Sequence, residues 1–170
     1  PAAPVDLTGI PDLPQRPPNL CAGCSHRATF YAVNKAAEDI PNIRPTDIGC
    51  YTLGFLPPLS TGDFLICMGS SVGAGCGFSK ATNKKVISYI GDSTFFHSGI
   101  PGLINAVFNN HDITLVILDN HTTAMTGHQS HPGTGRTLQG LETAPIEFEP
   151  LVKALGIQRV HTVDSYDLKG

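Results

Sequence analysis

The chain has 170 residues, 41% of them hydrophobic and 15% charged, with a formal net charge of −3. That balance suits one globular domain with a substantial core, and the absence of a Lys/Arg run argues against a nucleic-acid surface while leaving room for a small anion site. No apolar run approaches the ~20 residues of a membrane span and no charged-then-apolar leader occurs, so a soluble, cytoplasmic protein without membrane contact is expected.

Residues 1–18 hold Pro1, Pro4, Pro11, Pro14, Pro17 and Pro18, which lack amide donors and fix φ, and read as a linker or arm ahead of a domain over 19–170. The alanine-rich "HRATFYAVNKAAED" at 26–39 predicts a helix closed by Pro41. "TDIGC" at 46–50 predicts a short strand and "GFLPPLSTG" at 54–62 a loop. "DFLICMGSSVGAGCGFSKAT" at 63–82 starts strand-like and then places Gly69, Gly73, Gly75 and Gly77 in close succession. Each glycine costs ~1 kcal/mol against alanine in a helix, so the run implies backbone packed closely on a neighbour or a ligand, or else a plain flexible loop. It matches neither GxxxxGK[ST] nor GxGxxG.

"KKVISYIGD" at 84–92 predicts an apolar strand, and Ile100, Leu103, Ile104, Val107 and Phe108 fall on one helical stripe. "ITLVIL" at 113–118 is a continuous apolar run, as in a strand covered on both faces. Strand, helix, strand makes a right-handed crossover, and "EPLVKALG" followed by "IQRVHTV" repeats the alternation. The fold class is α/β: a doubly wound, mostly parallel sheet with helices on both faces. The chain starts within a proline-rich stretch and stops at the start of what reads as another element, so a piece of a longer chain is expected.

In such a sheet, ligands bind beyond the carboxyl ends of the strands. Gly91-Asp92-Ser93-Thr94 follows one strand and Asp119-Asn120-His121-Thr122-Thr123 the next, so both can face one crevice. Asp92 and Asn120 are hard oxygen donors suited to Mg²⁺, which takes one or two protein oxygens plus phosphate and water. Ser93 and Thr94 can donate to phosphate at the start of the following helix. On residue chemistry alone, Asp92 and Asn120 are equally readable as turn or cap residues.

The segments "NLCAGCSHRATFYAV", "TDIGCYTLG", "CMGSSVGAGCGFSKA", "YIGDSTFFHSGIPGLINAVFNN" and "LDNHTTAMTGHQSHPGTG" together resemble the thiamine-diphosphate-binding domain of the indolepyruvate ferredoxin oxidoreductase alpha-subunit family. That family lies within the 2-oxoacid:ferredoxin oxidoreductase superfamily. The pair Gly91-Asp92-Ser93 and Asp119-Asn120, 25 residues apart, resembles the thiamine-diphosphate signature of GDG followed by NN, departing from it at Ser93 and Asp119. The resemblance spans about 19–165 and implies a thiamine-diphosphate-binding fold, its diphosphate-binding domain. It further implies that Asp92, Asn120 and the Thr122 backbone carbonyl ligate Mg²⁺. Gly91, Ser93 and Thr94 would then contact the diphosphate, and Gly69 with Ser70 would line the cleft.

Five cysteines, with Cys21 and Cys24 the one close pair, do not form a secreted disulfide framework. Cys21-x-x-Cys24 followed by Cys50 after 25 residues resembles three ligands of the proximal iron–sulfur cluster found in some superfamily members, so a [4Fe-4S] cluster is one expectation, with unligated thiols and a structural Zn²⁺ as the alternatives. Cys67 and Cys76 are candidates for the fourth ligand by count only. Among the histidines, His26, His97, His121 and His128 lie in or beside the expected cleft; His26 and His97 are the leading candidates to orient a 2-oxoacid or move a proton, and His111, His131 and His161 carry no assigned role.

The activity implied is oxidative decarboxylation of an aryl 2-oxoacid such as indolepyruvate, with acyl transfer to coenzyme A and electrons to ferredoxin. No segment resembles a pyrimidine-binding domain, so the expected partners are that domain on the same or a sister chain, a second subunit and ferredoxin, and the segment alone is expected to be inactive. Two rivals use the same residues: a non-oxidative thiamine decarboxylase or acetolactate-type enzyme, and a non-enzymatic iron–sulfur or metal-binding module.

Overall fold

Three parallel strands in the order β1–β2–β3 carry the architecture: β1 (Asn42–Ile43), β2 (Lys85–Gly91) and β3 (Thr114–Leu118). The computed structural model describes residues 8, 9, 11, 14 and 16–167; the rest of the proline-rich arm expected over 1–18, and 168–170, lie outside the described residues. The helices are α1 (Ser25–Ala36), α2 (Ser70–Ala81), α3 (Asp92–Thr94), α4 (Ile100–Phe108) and α5 (Phe148–Ala154), with 3₁₀ turns over Cys50–Phe55 and Ala124–Thr126.

β2 is the central strand, and its alternate residues feed two cores. Ile87 and Tyr89 face α1, where Phe30 meets the Tyr89 ring edge-on at 5.3 Å; Leu20, Tyr51 and Leu118 complete that side. Ile90 faces the other way, into a cluster with Val72 of α2, Phe95, Leu103 of α4 and Val152 of α5. Helices therefore cover both faces of a parallel sheet, as the apolar runs of β2 and β3 imply. Full burial of side chains such as Phe30 of α1 and Ile90 of β2 contributes ~1.5–3 kcal/mol each.

The glycine run is helical, and its glycines split by environment. At Gly75 a Cβ would lie 2.4 Å from Ser88 Oγ, and at Gly102 of α4 one would lie 3.1 Å from Val72 Cβ, so α2 sits close on β2 and α4. Gly73 and Gly77 face open space. From Asp92 the helix continues through a wide π turn over Phe95–Gly99 into α4. Pro101 accounts for the widening: it has no amide for the His97 carbonyl, and its ring clashes with that carbonyl in a regular α-helix.

Three expectations are corrected. "TDIGC" is not a strand; the sheet contact there is a single parallel bridge from Pro45 to Phe64, because the Asp47 side chain takes up backbone amides instead. "IQRVHTV" forms no strand among the described residues; Ile157 and Val160 pack against the core beyond α5 without entering a ladder. The stripe on α4 is rotated: Leu103 and Ala106 are buried, while Ile104 and Phe108 are exposed.

Candidate cofactor site

Register places the two polar junctions side by side. Gly91 of β2 pairs with Leu118 of β3, so Asp92 and Asp119 leave adjacent parallel strands at the same level. Asp92 turns its carboxylate inward. Oδ1 accepts the Ser93 amide at 2.7 Å, while Oδ2 accepts the amides of Asn120 at 3.2 Å and Thr122 at 3.3 Å. Asn120 Oδ1 accepts the same Thr122 amide at 3.2 Å, and Thr123 Oγ1 donates to Ser93 Oγ at 2.8 Å. The loop after β3 is thus tied to the first turn of α3 by three hydrogen bonds.

A third element closes this junction. An antiparallel bridge between Thr123 and Gln129 folds the chain back, and His131 Nε2 reaches Asp92 Oδ2 at 3.1 Å. Both side chains are buried. Burial pushes the Asp92 carboxyl above its ordinary value; the Ser93 amide and His131 oppose the shift, and Asp119 reinforces it.

A cavity of about 80 Å³ opens at the junction, lined by Asp92, Ser93, Thr94, Asn120 and Thr122 together with Gly91, His26, Cys50, Tyr51, Met68 and Met125. His26 is buried edge-on against the Tyr51 ring at 5.9 Å, and burial pushes its imidazole below the ordinary value. Gly91 serves protein packing, since a Cβ there would lie 2.5 Å from the Tyr51 ring. The Thr94 hydroxyl is already engaged, 3.3 Å from the Ile48 carbonyl and 3.2 Å from Tyr51 Oη, so the Ser93 hydroxyl is the more available of the two.

Not every expected residue gathers here. Gly69 and Ser70 lie outside the cavity lining: the Gly69 amide is taken by Asp47, and the Ser70 hydroxyl turns back to accept the Cys67 amide at 3.2 Å. His97 is exposed on the π turn and lines no part of the cavity, because the widened turn carries its side chain outward. Cys21, Cys24 and Cys50 are neighbours, and the Cys50 thiol is pushed up by burial first and then by Cys24 and Cys21. All five cysteines are free, and no group of three or more His, Cys, Asp or Glu among the described residues is disposed to hold a metal ion. Cys21, Cys24 and Cys50 thus bring together three of the four thiols that a [4Fe-4S] cluster takes.

Sequence reasoning missed His131 and Asp47. Both act across 20 or more residues of chain, 39 for His131 to Asp92 and 22 for Asp47 to Gly69. The available signal for His131 was the Pro132-Gly133 pair behind it, a turn that fixes where the ring points.

The oxygen donors do fit a hard cation. A carboxylate has about four lone-pair sites and an amide oxygen two, and Asp92 Oδ1 and Asn120 Oδ1 each accept one amide, leaving capacity at both atoms. Residues 47–169 match the family model described as the thiamine pyrophosphate enzyme, C-terminal TPP binding domain. The indolepyruvate oxidoreductase subunit IorA of Methanothermobacter thermautotrophicus is 54% identical over 94% of this chain and 27% of its own length. The IorA subunit of Archaeoglobus fulgidus is 50% identical over 92% and 25%. The chain thus spans about a quarter of the length of these curated relatives. In structure it is similar to 2-oxoglutarate:ferredoxin oxidoreductase from Magnetococcus marinus, with a TM-score of 0.70 and 18% identity over 84% of this chain and 53% of that one, a likeness of fold. With its parallel sheet and the paired junctions after β2 and β3, the chain belongs to the family of thiamine pyrophosphate enzyme C-terminal TPP-binding domains.

Proposed function

We propose that this domain holds the Mg²⁺-diphosphate end of thiamine diphosphate within a 2-oxoacid:ferredoxin oxidoreductase that acts on an aryl 2-oxoacid such as indolepyruvate. The single observation that carries the reading is the convergence of Asp92 and Asn120, from the ends of adjacent parallel strands, on one cavity with unfilled oxygen acceptors. Asp92, Asn120 and the Thr122 carbonyl hold the cation, and the Ser93 hydroxyl contacts diphosphate. When bound, the cofactor supplies the electron sink for decarboxylation.

This chain's own residues bind, orient and exclude water. The Thr123–Ser93 bond keeps the two junctions at fixed separation, while Met68, Met125 and Leu118 give the cavity an apolar wall. His26, neutral through burial, offers an unprotonated ring nitrogen to the site. Sites for drug-sized molecules run to ~300–1,000 Å³, far above the ~80 Å³ available here, so the remaining wall comes from another domain. We assign that wall to a pyrimidine-binding domain of the same or a sister chain, with 19–170 as the diphosphate-binding domain and 1–18 as its connecting arm. Coenzyme A takes the acyl group, and ferredoxin, through a second subunit, takes the two electrons.

The assay is reduction of ferredoxin by the full-length complex. It should require indolepyruvate, coenzyme A and thiamine diphosphate together; release of an aldehyde without ferredoxin reduction would replace this reading with a non-oxidative decarboxylase.

A further inference from the structure

Asp92 receives three backbone amides, all from residues next to it or at the end of the adjacent strand, and one side-chain donor, His131. The direction of that last bond is fixed by the other ring nitrogen. The Gly133 amide donates to His131 Nδ1 at 3.1 Å, so Nδ1 is the acceptor and the proton sits on Nε2, aimed at Asp92 Oδ2. The ring cannot easily turn away. It stacks on Phe96 at 5.8 Å and 28°, Phe96 stacks on Phe148 at 4.8 Å and 29°, and the Thr134 hydroxyl and amide both donate to the His131 carbonyl. Gly133 is needed for this closeness, since a Cβ would lie 3.0 Å from Phe96 Cε2 and 3.1 Å from His131 Cε1.

The consequence falls on the two oxygens of Asp92. Oδ2 carries three hydrogen bonds and Oδ1 one, so the carboxylate is held with its less occupied oxygen free to serve a ligand. Resting on the proposed cation site, we propose that His131 is a positioning residue: by donating from Nε2 to Oδ2 it turns the Asp92 carboxylate so that Oδ1 meets the divalent cation. A phenylalanine would fill the same stacked space, so the two ring-nitrogen bonds, to the Gly133 amide and to Asp92, distinguish histidine here, and the one to Asp92 reaches the cation site. Loss of such a hydrogen-bonding partner of a metal ligand typically weakens metal binding ~10–100-fold.

The test is a Mn²⁺ titration of the full-length complex with thiamine diphosphate present, followed by electron paramagnetic resonance of free Mn²⁺, with circular dichroism as the check on folding. His131→Phe keeps an aromatic ring for stacking but removes the Nε2 donor together with the acceptor of the Gly133 amide, and is expected to weaken Mn²⁺ binding ~10–100-fold. His131→Gln returns an amide N–H at similar reach and is expected to restore most of the affinity. Wild-type binding by a folded Phe variant, or equal losses in the Phe and Gln variants, overturns the inference. Should the Phe variant not fold, His131→Gln is compared with His131→Asn, whose shorter amide stops short of Oδ2: affinity kept by Gln and lost by Asn supports positioning, and any other pattern overturns it. Absence of Mn²⁺ binding by the wild-type complex overturns the cation site itself, and this inference with it.

Discussion

Asp47 Oδ1 accepts the Gly69 amide at 2.6 Å, so a fully buried carboxylate from the segment after β1 closes the N-terminus of α2. Its second oxygen accepts the Ser71 amide at 3.0 Å, and Oδ1 also accepts the Ile48 amide at 3.0 Å. A negative charge at this end is favoured by the helix dipole as well as by the orphan amides it satisfies.

Asp47→Ala strands these amides in the interior and is expected to destabilise the α2 end by about 2–4 kcal/mol. Hydrogen exchange of the full-length protein reads this locally: amides over 69–75 should exchange faster, with Asp47→Asn giving a smaller acceleration because one oxygen is kept.

The βαβ unit was legible because its signals are local. Val86, Ile87, Tyr89 and Ile90 announce a strand covered on both faces, and Asp92 and Asn120 stand immediately after strands, where ligands of such sheets sit. Asp47 was not legible, since "TDIGC" has strand-like composition and its partners are the amides of another element. His131 escaped for the same reason: the Pro132-Gly133 turn beside it marks a bend, while its partner Asp92 lies 39 residues away in the chain. On α4 the periodicity is real, yet periodicity cannot say which side of an apolar helix meets the core. Ala106 takes a buried place there while Phe108 stays exposed.

Two glycines of α2 should respond in opposite directions. Gly75→Ala drives a Cβ to 2.4 Å from Ser88 Oγ, which is itself bonded to the Ser71 carbonyl, and is expected to cost about 1–3 kcal/mol. Gly77→Ala meets nothing within 4 Å and is expected to gain about 0.5–1 kcal/mol from helix propensity. Scanning fluorimetry of the two full-length variants checks the sign of each.

His26 gives a pH signature. Burial holds its imidazole below the ordinary 6.5, so the folded state binds this proton less tightly than the unfolded state. The associated stability is fully present above about pH 6.5 and is lost as pH falls below it toward the folded-state value. Thermal unfolding from about pH 7.5 to about pH 5 should show Tm falling with pH, and His26→Phe should flatten that slope. An unchanged slope in the variant would assign the effect to another group.

The most direct test of the cofactor site is isothermal titration of thiamine diphosphate into the full-length complex, with and without Mg²⁺, for the wild type, Asp92→Asn and Asp92→Ala. Binding by the wild type should depend on the cation. Both variants should lose more than about 100-fold in affinity, beyond the effect of losing a partner residue. Cofactor binding that is indifferent to Mg²⁺, or unchanged in a folded Asp92 variant, would contradict the assignment.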